Sequence, residues 1–158
     1  MTSSVASVND APIGIFDSGV GGLTVARAVI DQLPHEQILY VGDTARGPYG
    51  PRSLAEVRQF ALEIMDGLVA RGVKMIVIAC NTASSFAYET VKDFVDGKVP
   101  VINVIDPVVE HVTRSGKRRK IGVIGTKGTI KSDIYETILE IDASDAAAMV
   151  AQGAPKYK

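Results

Sequence analysis

The sequence predicts an α/β protein with a parallel β-sheet and flanking helices. Three observations support this fold class. Five short runs rich in valine and isoleucine alternate with helical patterns, each run is apolar at consecutive positions, and the connections are short. Consecutive apolar residues are typical of strands buried on both faces, as in parallel sheets. The predicted strands cover residues 13–16, 38–41, 73–79, 101–105 and 121–124.

Helical periodicity fills the intervals between these runs. The strongest pattern covers residues 54–71, where apolar side chains recur every three or four positions. Ser53 and Glu56 have the spacing of a capping box at its start, and Gly72 suits its end. The predicted helices cover residues 23–33, 54–71, 83–96, 107–115 and about 130–141.

Composition argues against several kinds of partner and site. The 158 residues carry a net charge of −1, and the basic cluster at residues 114–120 has no interleaved aromatic residues. We therefore expect no nucleic-acid partner. No apolar stretch approaches the roughly 20 residues needed to span a bilayer, so we expect no membrane partner. A single cysteine excludes an intrachain disulfide and a multi-cysteine zinc site, and it is compatible with a cytoplasmic location.

Polar residues follow every predicted strand. Ligands of parallel α/β sheets bind beyond the carboxyl ends of the strands, so these residues predict a polar pocket. Turn formation and helix capping alone would account for some of them. The residues are Asp17, Ser18, Asp43, Thr44, Cys80, Asn81, Thr82, Asp106 and Thr126.

Cys80 is the most informative of these residues. A lone cysteine is commonly a small buried hydrophobic residue. Here it lies between a predicted strand and a predicted helix. The positive end of a helix dipole favours a thiolate, which can act as a nucleophile, a metal ligand or a proton acceptor.

Two glycine-containing loops leave alternatives open. Residues 16–24 have the outline of a dinucleotide-binding turn, but Thr24 stands where the third glycine of that motif belongs, and Asp17 would repel a pyrophosphate. Residues 42–53 are compatible with a surface turn and also with a rigid pocket wall that presents Tyr49.

Four segments together resemble the amino-terminal part of the glutamate racemases, in the aspartate/glutamate racemase family. They are "GIFDSGVGGLTV", "YVGDTARGPYG", "ACNTAS" and "VIGTKGTI", in family order and spacing. The resemblance covers about residues 13–141. It implies a cofactor-independent, cytoplasmic enzyme that interconverts L- and D-glutamate for peptidoglycan synthesis, with glutamate as ligand, no metal, and a homodimer as a further expectation.

The resemblance also implies roles for individual residues. Cys80 corresponds to one of two catalytic cysteines, and Asp17 is expected to assist proton transfer. The expected substrate-binding residues are Asp17, Ser18, Tyr49, Gly50, Asn81, Thr82, Thr126 and Thr129.

The sequence departs from the family pattern in one respect. Family members carry a second cysteine in a Cys-Thr-His segment and have two similar α/β domains, whereas this chain has one cysteine. We therefore expect an incomplete racemase, inactive alone. Residues 1–11 are predicted to be a disordered lead-in without a signal peptide, residues 12–98 a first domain and residues 99–158 part of a second.

Three other functions stay open on the sequence alone. One is a racemase for aspartate or another amino acid, and another is a non-catalytic binding or regulatory fragment. The third and weakest is a nucleotide-binding domain.

Overall fold

The sheet contains four parallel strands in the order β2-β1-β3-β4. The computed structural model describes residues 10–114 and 123–139. Its strands are β1 (Ile13–Asp17), β2 (Ile38–Gly42), β3 (Met75–Ile78) and β4 (Val101–Asn103). Its helices are α1 (Leu23–Gln32), α2 (Leu54–Ala70), α3 (Asn81–Val95), α4 (Asp106–Arg114), α5 (Lys127–Lys131) and α6 (Ile134–Leu139).

Strand β1 lies at the centre of the sheet and is buried at all five positions. This burial explains the uncharged, largely apolar sequence of its first four residues, because each side of the strand faces a helical layer. One face of the sheet carries Phe16 and Ile78 and packs against α2 and α3. The other carries Ile15 and Val77 and packs against Ala26 of α1.

The parallel register places the carboxyl ends of β1 and β3 side by side. Phe16 pairs with Ile78, and the main-chain N–H of Ala79 donates to the carbonyl of Phe16 at 2.7 Å. The residues that follow these two strands therefore leave the sheet at the same edge. This is where the sequence predicts the pocket.

The predicted capping box at the start of α2 is confirmed. The main-chain N–H of Glu56 donates to Ser53 Oγ, and the Glu56 carboxylate accepts from the main-chain N–H of Ser53. Gly72 follows α2 with φ of 69°, a left-handed conformation that glycine adopts without strain.

The prediction for the segment after α4 is partly wrong. Residues 121 and 122 of the predicted fifth strand lie outside the described residues, whereas residues 123 and 124 form no strand. The side chain of Ile124 is 87% exposed, so its apolar character does not reflect burial. No strand of the described sheet pairs with these two residues.

The predicted helix at residues 130–141 is divided into α5 and α6. Thr126 caps α5 by accepting the main-chain N–H of Thr129 at 3.3 Å, so the helical segment begins earlier than predicted. Asp133 has φ of 51°, a left-handed conformation that ends the first helix. Residues 140 and 141 lie outside the described residues.

Strand β4 follows the predicted domain boundary at residues 98 and 99, and it pairs with β3 in the same sheet. The division of the chain into two domains stays a prediction. Residues 1–9 of the predicted lead-in lie outside the described residues. Within residues 10–114 and 123–139, no helix combines the length and the apolarity required to cross a bilayer.

A buried polar network holds the loop after β2. Tyr49 is only 1% exposed, and its hydroxyl donates to Asp43 Oδ2 at 2.5 Å. Arg46 Nε donates to the same oxygen at 2.7 Å and also pairs with Glu63 on α2. Burial and the hydrogen bond to Asp43 raise the pKa of Tyr49, so its hydroxyl remains a donor.

We expect Tyr49→Phe to destabilise the protein by about 1–3 kcal/mol, because Asp43 would lose a buried hydrogen-bond donor. Urea denaturation, followed by circular dichroism, measures this change. Tyr88→Phe on α3 is the matched control, since no described residue hydrogen-bonds the Tyr88 hydroxyl. Equal denaturation midpoints for the two variants would contradict a stabilising role for the Tyr49 hydroxyl.

Candidate active site

A cleft of about 600 Å³ opens at the carboxyl ends of the strands. Its walls come from the glycine-containing loop after β1, the loop after β2, the start of α3 and the residue that caps α5. The lining residues include Asp17, Ser18, Thr44, Tyr49, Gly50, Cys80, Asn81, Thr82, Val104 and Thr126. The structure thus brings together eight of the nine residues to which the resemblance assigns catalytic or binding roles.

Cys80 is the N-cap of α3 and is 6% exposed. Its sulfur accepts the main-chain N–H of Ala83 at 3.4 Å, and its thiol donates to Ser18 Oγ at 3.3 Å. A helix start and a hydroxyl group therefore both contact the sulfur. Both can stabilise a thiolate, because the N–H and a rotated hydroxyl would donate to it.

Asp17 turns back towards the start of α1. Its Oδ2 accepts the main-chain N–H of Gly22 at 2.9 Å. A side chain at Gly22 is excluded, since a Cβ there would lie 2.7 Å from the Cβ of Asp17. The carboxylate occupies the helix start that a pyrophosphate would need, which disfavours the dinucleotide-binding hypothesis.

Tyr40 supports this loop from β2. Its hydroxyl donates to the main-chain oxygen of Gly19 at 3.2 Å and lies 3.5 Å from Asp17 Oδ2. Burial and the neighbouring Asp17 carboxylate raise the pKa of Tyr40. No signal in the sequence distinguishes Tyr40 as a site residue, because within a strand it matches the ordinary pattern of a packed aromatic residue.

Three threonine hydroxyls meet beside Cys80. Thr82 Oγ1 lies 3.0 Å from Thr126 Oγ1 and 3.4 Å from Thr129 Oγ1. Thr126 lines the cleft, whereas Thr129 is buried behind it and does not line the wall. Thr129 therefore supports the other two hydroxyls, and its assignment as a binding residue stays a prediction.

The loop after β2 contributes a tightly packed wall. Gly50 approaches Thr126 so closely that a Cβ would lie 2.7 Å from the Cβ of that threonine. The Tyr49 hydroxyl is already bonded to Asp43, and its ring packs against Phe16 and Phe60, so Tyr49 lines the cleft without offering it a free hydroxyl.

Asn81 stands at the exposed mouth of the cleft. The hydroxyl of Tyr135, on α6, donates to Asn81 Oδ1 at 2.6 Å. Burial raises the pKa of Tyr135. No local signal in the sequence could have paired two residues that lie 54 positions apart.

The described residues contain no group of three His, Cys, Asp or Glu side chains arranged to hold a metal ion. The acid–base groups that line the cleft are a thiol, a carboxylate and hydroxyl groups. Such groups can bind a small polar molecule and move a proton at one of its carbon atoms.

Two curated proteins are similar to this chain over most of its length. The glutamate racemase of Beutenbergia cavernae is 60% identical over 130 residues, which are 82% of this chain and 44% of that protein. The glutamate racemase of Corynebacterium diphtheriae is 52% identical over 150 residues, or 95% of this chain and 55% of that protein. The chain thus spans about half the length of the curated relatives it matches.

Solved structures confirm the fold. The glutamate racemase of Aquifex pyrophilus superimposes with a TM-score of 0.79 at 47% identity, covering 85% of this chain and 53% of that one. The glutamate racemase of Francisella tularensis in complex with D-glutamate gives a TM-score of 0.77 at 36% identity, covering 91% and 57%. Both values confirm the α/β fold class.

The family described as Asp/Glu/Hydantoin racemase matches residues 22–152. This range includes the loop after β2, Cys80, and the threonines beside it. Because the match covers most of the 158 residues, the chain belongs to the Asp/Glu/Hydantoin racemase family.

Proposed function

We propose that the cleft binds glutamate and that Cys80 exchanges a proton with its α-carbon, as part of a cofactor-independent racemisation. The main observation is the placement of Cys80, whose sulfur lies at a helix start, in contact with Ser18, on the wall of the cleft. Similar proteins named glutamate racemase, one of them solved with D-glutamate, indicate the substrate.

The surroundings of Cys80 suit both protonation states. In the structure the thiol donates to Ser18 Oγ. When the thiol loses its proton, the Ser18 hydroxyl can rotate and donate to the sulfur, together with the main-chain N–H of Ala83. An acid–base group needs such support in both states, because it must accept a proton and later return one.

The remaining cleft residues supply binding groups. Asn81 and Thr82 at the start of α3 offer an amide and a hydroxyl, and Thr126 at the start of α5 adds a second hydroxyl. Such donors can hold a carboxylate and stabilise charge that develops next to the α-carbon. Asp17 offers a carboxylate for the ammonium group or for proton transfer. One of its oxygens is bonded to Gly22, so the position of this carboxylate is fixed.

A single thiol can serve only one face of the α-carbon. Inversion requires a proton to leave from one face and to arrive at the other, and the chain has one cysteine. We therefore propose that these 158 residues exchange the α-proton of one enantiomer and do not invert it. The resemblance also leads us to propose a cytoplasmic supply of D-glutamate for peptidoglycan and a homodimer.

We expect incubation with L-glutamate and D-glutamate in D₂O to exchange the α-proton of one enantiomer faster than that of the other. Proton NMR follows the exchange, and chiral chromatography follows inversion. Cys80→Ala should lower the exchange rate about 10²–10⁴-fold, because it removes the acid–base group. Ser18→Ala should have a smaller effect, since the N–H of Ala83 would still contact the sulfur.

Inversion at an enzymatic rate that is lost in Cys80→Ala would show that another residue serves the second face. Exchange that persists in Cys80→Ala would contradict the role of Cys80. Aspartate tested in parallel distinguishes a glutamate enzyme from an aspartate enzyme of the same family.

We expect glutamate to protect Cys80 from alkylation. The sulfur lines the cleft, so a bound ligand would cover it. Iodoacetamide labelling, followed by mass spectrometry, gives the rate without ambiguity because the chain has one cysteine. At saturating glutamate we expect the alkylation rate to decrease by about threefold or more, because a bound ligand then covers the sulfur in most molecules. Equal rates with and without glutamate would argue against binding at this cleft, and protection without exchange would favour a binding fragment.

A further inference from the structure

Asn81 joins the cleft to helix α6. It is the first residue of α3, and its side chain lines the cleft. On its other side, Tyr135 Oη donates to Asn81 Oδ1 at 2.6 Å. This contact links two parts of the chain that lie 54 residues apart, and none of the binding roles proposed above uses Tyr135.

The direction of this hydrogen bond determines which end of the carboxamide is free. A carboxamide has an acceptor oxygen at one end and a donor –NH₂ group at the other. Because Tyr135 occupies the oxygen, the –NH₂ group is left for the cleft. No described residue accepts a hydrogen bond from Asn81 Nδ2.

The main chain at Asn81 is held independently. Ser85 Oγ donates to the carbonyl oxygen of Asn81 at 2.9 Å, and the preceding residue, Cys80, caps the helix. The backbone is thus fixed, and the remaining freedom is rotation of the side chain. A rotated carboxamide would present its oxygen to the cleft and repel an anion.

The segment that precedes Tyr135 is also held by packing. Helix α5, which precedes α6, lies against the cleft wall. A Cβ at Gly128 would come within 3.2 Å of both the Gly50 carbonyl oxygen and the Phe86 ring. Thr126 and Thr129 hydrogen-bond to Thr82 on α3. These contacts hold α5 against the cleft wall, and α6 follows α5 after two residues.

We propose that Tyr135 is a positioning residue that orients the Asn81 carboxamide with its –NH₂ group towards the cleft. This part of the cleft then selects a carboxylate over a carboxamide. This inference deepens the proposed function. It rests on that function only in identifying the bound carboxylate as one of the two carboxylates of glutamate. It gives the cleft a means of distinguishing glutamate from a ligand with an amide at the same position.

Cys80 provides a probe that does not require glutamate. Iodoacetate and iodoacetamide have nearly the same shape and differ in carrying a carboxylate or a carboxamide. The sulfur that they alkylate precedes Asn81 directly, and the chain has no other cysteine. The ratio of the two alkylation rates, divided by the same ratio for glutathione, therefore reports the local preference for a carboxylate.

We expect Tyr135→Phe to lower this normalised ratio about fivefold, because the Asn81 –NH₂ group would no longer be held in position to donate to the carboxylate of iodoacetate. Asn81→Ala should lower it at least as much. Tyr88→Phe removes the hydroxyl of a partly buried tyrosine on α3 and should leave the normalised ratio unchanged. Circular dichroism and a urea denaturation curve establish that each variant is folded.

A ratio in Tyr135→Phe equal to that of the unaltered protein would overturn the proposal. An unchanged ratio in Asn81→Ala would overturn it as well, since the amide would then select nothing. A uniform decrease in both rates, with an unchanged ratio, would indicate a structural effect of Tyr135 and would also count against the proposal.

A second measurement needs no substitution. In the unaltered protein, nuclear Overhauser effects from the Asn81 –NH₂ protons should be stronger to protons of cleft residues than to the Tyr135 ring. The opposite pattern would overturn the proposal. Neither measurement uses glutamate, so the two proposals can fail separately. If glutamate did not protect Cys80, the proposed function would be contradicted. The alkylation ratio and the nuclear Overhauser effects would still decide the orientation of Asn81.

Discussion

The parallel pairing of β1 with β3 is the constraint on which the rest of the cleft depends. It aligns Phe16 with Ile78, so the two chains leave the sheet at the same level. Ser18 and Cys80, which are 62 residues apart, thereby come within 3.3 Å. A shift of one residue in this register would reverse the faces of the strand and separate the serine from the thiol. The same pairing is buried between two helical layers, which makes that register costly to change.

Close approach of main-chain segments gives the cleft its shape. Gly22 admits Asp17 beneath the start of α1, and Gly50 admits Thr126 against the loop after β2. In both places a Cβ would collide with a polar residue of the cleft. The helix start after β1 is thus already occupied, because the anion there is the carboxylate of the chain itself.

Local patterns in the sequence predicted the strands and helices correctly where interactions between neighbouring residues determine the structure. Buried β1, the capped helix α2 and the helix start at Cys80 all carry signals within a few neighbouring residues. The pattern failed after α4. A short apolar run such as residues 121–124 forms a strand only when it pairs with another strand. No strand of the described sheet pairs with residues 123 and 124.

The sequence by itself determined the fold class, the polar edge of the sheet and the identity of the residues that form it. The motifs indicated eight of the residues that line the cleft. Only the tertiary structure decided which atoms remain free for a ligand. The Tyr49 hydroxyl is bonded to Asp43, Thr129 lies behind Thr126, and Tyr135 occupies one end of Asn81. Hydrogen bonds between residues far apart in the chain depend on distance and direction in three dimensions, and local sequence patterns do not contain that information.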